Sequence, residues 1–210
     1  MGLLKVNNGH TFISGITRSG KTYFGSRAVE QLPYPVVFFN LQDEDLPHKF
    51  LTVRADEIDG DQLIDAMKAG VKLDLRFRSA ASGAEINNVI GYVCRLLMAA
   101  GFSEKHPVYL VFDECHLLAG FGLDKAIEVA TRGLKRGCRA VFITQRPALA
   151  NKTLYTQSSD QYIFYLSPSE ASYLKSKGID YDRCLADWER LGKHSYIHYD
   201  GYTYEPMKAI

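Results

Sequence analysis

Charge of one sign is missing from this 210-residue chain: 25 Lys and Arg stand against 24 Asp and Glu, a formal net charge of +1 at pH 7. That balance excludes a nucleic-acid binder acting through bulk positive charge and leaves room only for a local basic lining. Long apolar runs are missing too. None approaches the roughly 18 residues a membrane-spanning helix needs. The start, MGLLKVNNGH, lacks the apolar stretch of a signal peptide, and Val6 stands where a myristoylation signal after Gly2 has Ser or Thr. Cysteine is confined to Cys94, Cys115, Cys138 and Cys184, with no C-x-x-C pair. Their apolar surroundings read as buried, reduced thiols, not as a disulfide framework or zinc site. With 46% apolar and 23% charged residues, disorder is excluded as well. No repeat, low-complexity segment or linker divides the chain, so one soluble, intracellular domain over 1–210 is expected.

What is present is alternation. Short apolar runs at 11–14, 35–39, 71–77, 108–112, 140–144 and 163–166 are separated by helical patterns at 21–32, 61–69, 84–100, 124–135 and 169–177. Continuous runs such as Val36-Val37-Phe38-Phe39 suit strands covered on both faces, and strand–helix–strand order demands an α/β fold with a mainly parallel sheet. The tail, at about 194–206, places Asp200-Gly201 between tyrosine-rich arms and reads as a β-hairpin.

Gly15-Ile16-Thr17-Arg18-Ser19-Gly20-Lys21-Thr22 fits G-x-x-x-x-G-K-[ST] at each fixed position, after a strand and before a helix. Glycines let successive N–H groups turn inward onto phosphate oxygens, and the helix N-terminus adds its positive dipole. Lys21 can reach the β- and γ-phosphates, and the Thr22 hydroxyl can ligate Mg²⁺. About 90 residues on, VYLVF ends in Asp113-Glu114. At the C-terminal edge of a parallel sheet, Asp113 would hold Mg²⁺ and Glu114 would activate the attacking water. Read alone, the same pair is also a solvated strand end with a helix cap. His116 fits a packed or capping histidine as well as a phosphate sensor. Gln145 closes the next strand, where an amide can donate to phosphate while accepting from water. Arg132 and Arg136, before that strand, read either as a finger for a neighbouring subunit's phosphates or as a solvated basic helix end.

GITRSGKT, then VYLVFDECH, then an R-G-x-x-R-G turn leading into VFITQRP, resembles the FtsK–HerA superfamily of P-loop ATPases. The similarity runs from about Thr11 to Leu166 and, through the hairpin, nearly to the C-terminus. It implies a three-layer RecA-like core that binds ATP and Mg²⁺ and assembles as a ring, usually a hexamer, around double-stranded DNA. By motif it assigns Lys21 and Thr22 to phosphate and Mg²⁺, Asp113 to Mg²⁺, Glu114 to the catalytic base and Gln145 to the sensor. Relatives often carry arginine where Leu134 stands here, so the finger falls to Arg132 or Arg136, or is absent.

Only about 14 residues precede the phosphate loop, which leaves no room there for the attachments of cellular translocases. A bare motor of this size is similar to the genome-packaging ATPases of tailless, internal-membrane double-stranded DNA viruses. That implies work in the host cytoplasm and at the virion's packaging vertex, with capsid vertex or viral membrane proteins as partners. The rivals are a nucleotide-dependent assembly or secretion ATPase, another HerA-like DNA-processing motor and a small-molecule kinase. Candidate DNA contacts are Arg76, Arg78 and Lys125, each equally readable as a solvated surface charge.

Overall fold

In the computed structural model, residues 9–43, 45–47 and 49–208 are described. The leader and Gly2 readings of the first eight residues fall outside them. The described residues form one sheet of nine strands in the order β3-β4-β2-β5-β6-β1-β7-β8-β9. The strands are β1 (His10–Ser14), β2 (Val36–Asn40), β3 (Leu51–Arg54), β4 (Lys72–Arg76), β5 (Val108–Phe112), β6 (Cys138–Thr144), β7 (Ser158–Phe164), β8 (Tyr196–Tyr199) and β9 (Tyr204–Met207). Every pairing from β3 across to β7 is parallel, and β8 and β9 close that side as the antiparallel hairpin. The helices are α1 (Lys21–Glu30), α2 (Gly60–Lys68), α3 (Gly83–Ala99), α4 (Gly120–Arg132), α5 (Lys152–Thr156), α6 (Ala171–Lys175) and α7 (Tyr181–Leu191).

Side-chain alternation along the central strands divides the core in two. Phe12, Val37, Phe39, Leu110, Phe112 and Phe142 pack with Ile90, Val93, Leu97, Ala126 and Val129 from α3 and α4. The intervening Ile13, Val36, Phe38, Tyr109, Val111, Val141 and Ile143 pack with Phe24 and Val29 of α1 on the other face. Both sets lie between 0 and 5% exposed, which is why these strands read as unbroken apolar runs. The result is three layers, helix on sheet on helix, as the resemblance implies.

Several boundaries differ from the sequence pattern for identifiable reasons. The α4 helix starts at Gly120 instead of near residue 124, because Asn87 of α3 accepts the Ala119 N–H at 2.8 Å and anchors its entry. It stops at Arg132, and residues 134–136 form a separate 3₁₀ turn. The β7 strand occupies 158–164 instead of 163–166: its polar first half finds partners indoors, Asp160 with His198 and Gln161 with Tyr173. The strand β3 and the helices α5 and α7 are additional to the pattern. All four cysteines are buried and free, and burial pushes the Cys138 thiol up to about 12. Among the described residues, no helix is long and apolar enough to cross a membrane.

Candidate active site

In parallel strands the C-terminal ends share one edge, so Ser14, Phe112 and Thr144 deliver their following loops to the same place. The phosphate loop leaves β1 there. The Gly15 N–H continues the ladder to the Thr144 carbonyl at 3.2 Å, and the Ile16 N–H reaches the Tyr165 carbonyl at 2.9 Å. Ser19 then donates back to the Ile16 carbonyl at 3.1 Å, closing the turn. A Cβ on Gly15 would come within 2.5 Å of both Phe164 Cβ and Ser19 Oγ, so only glycine lets the loop lie this close to β7. Arg18 and Gly20 both take positive φ, 64° and 98°. Gly20 supplies no side-chain cap to α1, so the N–H groups of the helix's first turn face the cradle instead. Lys21 and Thr22 open the helix and are 6% and 8% exposed.

Asp113 and Glu114 leave β5 at this edge, 1% and 4% exposed. Glu114 sits at φ 50°. That left-handed kink accompanies its Oε1 lying 3.5 Å from Lys21 Nζ. Its Oε2 accepts the Gln145 N–H at 3.1 Å and lies 3.2 Å from His116 Nδ1. Burial works to raise the Glu114 carboxyl. The His116 hydrogen bond, the Lys21 charge and the Gln145 N–H outweigh it and hold the group below its ordinary value. A carboxylate ionised at neutral pH, bonded on one oxygen and turned toward the phosphate loop, can take a proton from water.

Gln145 touches the phosphate loop directly. Its Oε1 accepts from the Thr17 hydroxyl, which leaves the two amide N–H donors for a phosphate or water. His116 bridges: its Nδ1 lies 2.9 Å from Thr144 Oγ1, which also accepts the Arg146 N–H at 3.0 Å. The strand ends of β5 and β6 are thus tied together through His116 and Thr144. Thr144 stands in the VFITQRP string, but its bridging contact is visible only once the strands pair.

Thr22 and Asp113 both offer hard oxygen donors at this edge. Mg²⁺ takes one or two protein ligands when a polyphosphate supplies others, so the pair fits that ion. Among the described residues, no group of three or more His, Cys, Asp or Glu could hold a metal without such help.

Other sequence candidates fall elsewhere. Arg132 and Arg136 precede β6, at the opposite edge of the sheet from their own phosphate loop. Seven residues of strand separate the two edges, roughly 20 Å at about 3.3 Å per residue. Both are exposed, and Arg136 Nη1 donates to the Met98 carbonyl at 3.4 Å. Neither reaches the phosphates of its own chain. Arg76 pairs with Asp74 at 2.7 Å and Asp43 at 2.9 Å, Arg78 pairs with Asp56, and Lys125 pairs with Glu128 at 2.6 Å. Each of these three sits beside an acidic side chain in a partly exposed pair. His194, absent from any sequence motif, meets the loop from the C-terminal side with its Nδ1 2.9 Å from the Ser19 carbonyl oxygen.

No protein-family model matches the chain, and no curated protein matches it. Solved structures do. The genome packaging NTPase B204 of Sulfolobus turreted icosahedral virus 2, in complex with ATPγS, is 15% identical with a TM-score of 0.66, covering 98% of this chain and 100% of that one. The plasmid coupling protein TrwB, bound to a non-hydrolysable GTP analogue, is 11% identical with a TM-score of 0.61, covering 95% and 84%. The chain shares the fold of these solved structures, a mainly parallel sheet covered by helices on both faces. EccC of Thermomonospora curvata, in complex with a signal sequence peptide, is similar at a TM-score of 0.55 and 15% identity, with 99% of this chain matching 39% of that one. At these identities the likeness is one of fold, and the chemistry must come from the site itself.

Proposed function

We propose that this chain is an ATP-driven motor that moves double-stranded DNA and packages a viral genome into a preformed capsid. The observation that carries the reading is its end-to-end match to a viral genome packaging NTPase, with 98% and 100% of the two chains covered. The Lys21–Glu114–Gln145 constellation at the phosphate loop supplies the chemistry.

In this reading, N–H groups of the loop from Gly15 to Gly20 and of the first turn of α1 cradle the triphosphate. Lys21, now within 3.5 Å of Glu114, turns to the β- and γ-phosphates, and the ion pair loosens as phosphate oxygens compete for the ammonium. Glu114 then accepts a proton from the attacking water as the water oxygen bonds to the γ-phosphorus. The bond to the β–γ bridging oxygen breaks, and ADP leaves with that electron pair. Gln145 donates to the γ-phosphate. Mg²⁺, held by Thr22 and Asp113, would neutralise charge on the phosphate oxygens.

The chain acts as one domain and as a homo-oligomeric ring, a hexamer by resemblance. Arg132 or Arg136 could complete only a neighbouring copy's site, which is the behaviour of a trans-acting finger. Sites of action are the host cytoplasm and the virion's packaging vertex, against capsid vertex or viral membrane proteins. The fold likeness to EccC, itself in complex with a signal sequence peptide, favours the rival reading of an assembly or secretion ATPase. A triplex-displacement assay separates the two. A DNA motor strips a third-strand oligonucleotide from a long duplex only while ATP is turned over. ATP turnover that leaves the third strand in place would favour the secretion reading.

A further inference from the structure

The two oxygens of the Glu114 carboxylate are not equivalent. Oε2 takes the Gln145 N–H at 3.1 Å and faces His116 Nδ1 at 3.2 Å, while Oε1 lies 3.5 Å from Lys21 Nζ. A carboxylate oxygen offers two lone pairs, so two donors fill Oε2 and leave Oε1 as the oxygen with room for a proton. His116 is the second donor only when Nδ1 carries the hydrogen. A bare Nδ1 would set its lone pair against those of the carboxylate across 3.2 Å. Glu114 therefore dictates the tautomer of the imidazole.

The imidazole is held by β6 as well. Its Nδ1 hydrogen is shared with Thr144 Oγ1, 2.9 Å away, and that oxygen also accepts the Arg146 N–H at 3.0 Å. Thr144 is fully buried, and only 7% of the His116 side chain is exposed. Local backbone brings His116 to this place. Glu114 takes its left-handed φ of 50°, and residues 115–117 form a 3₁₀ turn closed by the Leu117 N–H on the Glu114 carbonyl at 2.9 Å. Cys115, buried in the core between the two, anchors the turn.

We infer that His116 is a positioning residue for the base: it holds Oε2 of Glu114 so that Oε1 stays aimed at the attacking water once Lys21 turns to phosphate. The inference rests on reading Glu114 as that base. Of the three groups on the carboxylate, Lys21 is the one that phosphate oxygens draw away. What then stops the glutamate from rotating about its side-chain bonds is the pair on Oε2. One of the pair, the Gln145 N–H, is backbone at the end of β6, and the other is the His116 ring. His116 acts through Glu114 and needs no contact with nucleotide. Losing such alignment slows the chemical step and leaves ground-state binding alone, so the effect falls on kcat and not on KM.

The test uses the full chain, with ATP as substrate and AMP-PNP, which is not hydrolysed, as the binding probe. His116→Ala should lower kcat about ten- to a hundredfold, the worth of one hydrogen bond to a charged group, with KM for ATP and AMP-PNP affinity within about twofold of wild type. His116→Asn sets an amide N–H where Nδ1 stands and should recover most of that loss. His116→Gln, whose amide reaches to the position of Nε2, should not. In Glu114→Gln, which has already lost the proton acceptor, adding His116→Ala should change kcat less than about twofold. A packing role would add its loss in both backgrounds, and a phosphate sensor would weaken AMP-PNP binding. Either result, or equal rates in the Asn and Gln variants, overturns the inference. Where His116→Ala does not fold, the comparison of Asn with Gln decides. A Glu114→Gln chain that hydrolyses ATP at the wild-type rate would instead overturn the reading of Glu114 as base, and this inference with it.

Discussion

Replacing Glu114 by glutamine exchanges one carboxylate oxygen for an amide nitrogen and removes a single negative charge. The amide oxygen can still accept the Gln145 N–H that now reaches Oε2 at 3.1 Å, so the junction between β5 and β6 keeps its backbone tie. What is lost is the proton acceptor. Because His116, Lys21 and the Gln145 N–H hold the wild-type carboxyl below its ordinary value, it is ionised at neutral pH and the whole population is competent as base. General-base catalysis is worth about 10²–10⁴-fold. Glu114→Gln should therefore lower kcat for ATP hydrolysis by that factor, roughly 3–5.5 kcal/mol on the barrier at about 1.4 kcal/mol per tenfold. ATP affinity should hold or tighten, since Lys21, 3.5 Å from Glu114 Oε1, no longer shares its charge with a carboxylate. Phosphate release in a single turnover, with equilibrium ATP binding alongside, measures both quantities. A kcat within threefold of wild type would refute the assignment of Glu114 as base. Equal losses of binding and turnover would refute it too, because they would make Glu114 a structural prop of the loop.

Three other outcomes follow from named contacts. Gly15→Ala puts a methyl 2.5 Å from Phe164 Cβ; at the roughly 1–3 kcal/mol of an overpacked site it should lower Tm by several degrees and raise KM for ATP, as thermal melting and steady-state kinetics will read. His198 is pulled above its usual 6.5 chiefly by its hydrogen bond to Asp160 at 2.9 Å, against desolvation, with Glu205 3.7 Å away adding to the pull. A raised folded-state value means stabilisation that is complete below about pH 6.5 and is lost as pH rises through the folded value. The His198 contribution to urea unfolding stability, taken as wild type minus His198→Gln, should therefore be larger at pH 6 than at pH 8.5; a contribution equal at both would contradict the sign. If Arg132 or Arg136 acts on a neighbour, its alanine variant mixed into wild-type protein should depress turnover more steeply than dilution, and linear dilution would mark it as surface charge.

The site was more legible than its frame. The phosphate loop, Asp113-Glu114 and Gln145 are local strings with fixed geometry, and parallel pairing carries all of them to one edge. The central strands were equally plain, because Phe38, Phe39, Val111 and Phe112 are buried on both faces. The strand β3 escaped because Leu51–Arg54 is a four-residue edge with three exposed positions. The helix α7 escaped because only Cys184 and Trp188 are buried along its eleven residues; its one plain signal is Asp180, whose side chain accepts the Asp182 and Arg183 N–H groups as a cap. The first half of β7 hid behind polar residues whose partners, His198 and Tyr173, are distant in sequence. The contact of His194 with Ser19 spans 175 positions and leaves no local trace. The pairing of Arg76 with Asp43 and Asp45 is likewise tertiary, and only its partner Asp74, two residues back on β4, was within local reach.

The most direct test of a DNA motor is ATP hydrolysis by the purified chain, with and without long double-stranded DNA, across a salt series. The account predicts turnover that rises with DNA, loses that rise as salt screens phosphate contacts, and disappears in Lys21→Ala. Turnover indifferent to DNA at every salt concentration, or surviving in Lys21→Ala, would contradict it.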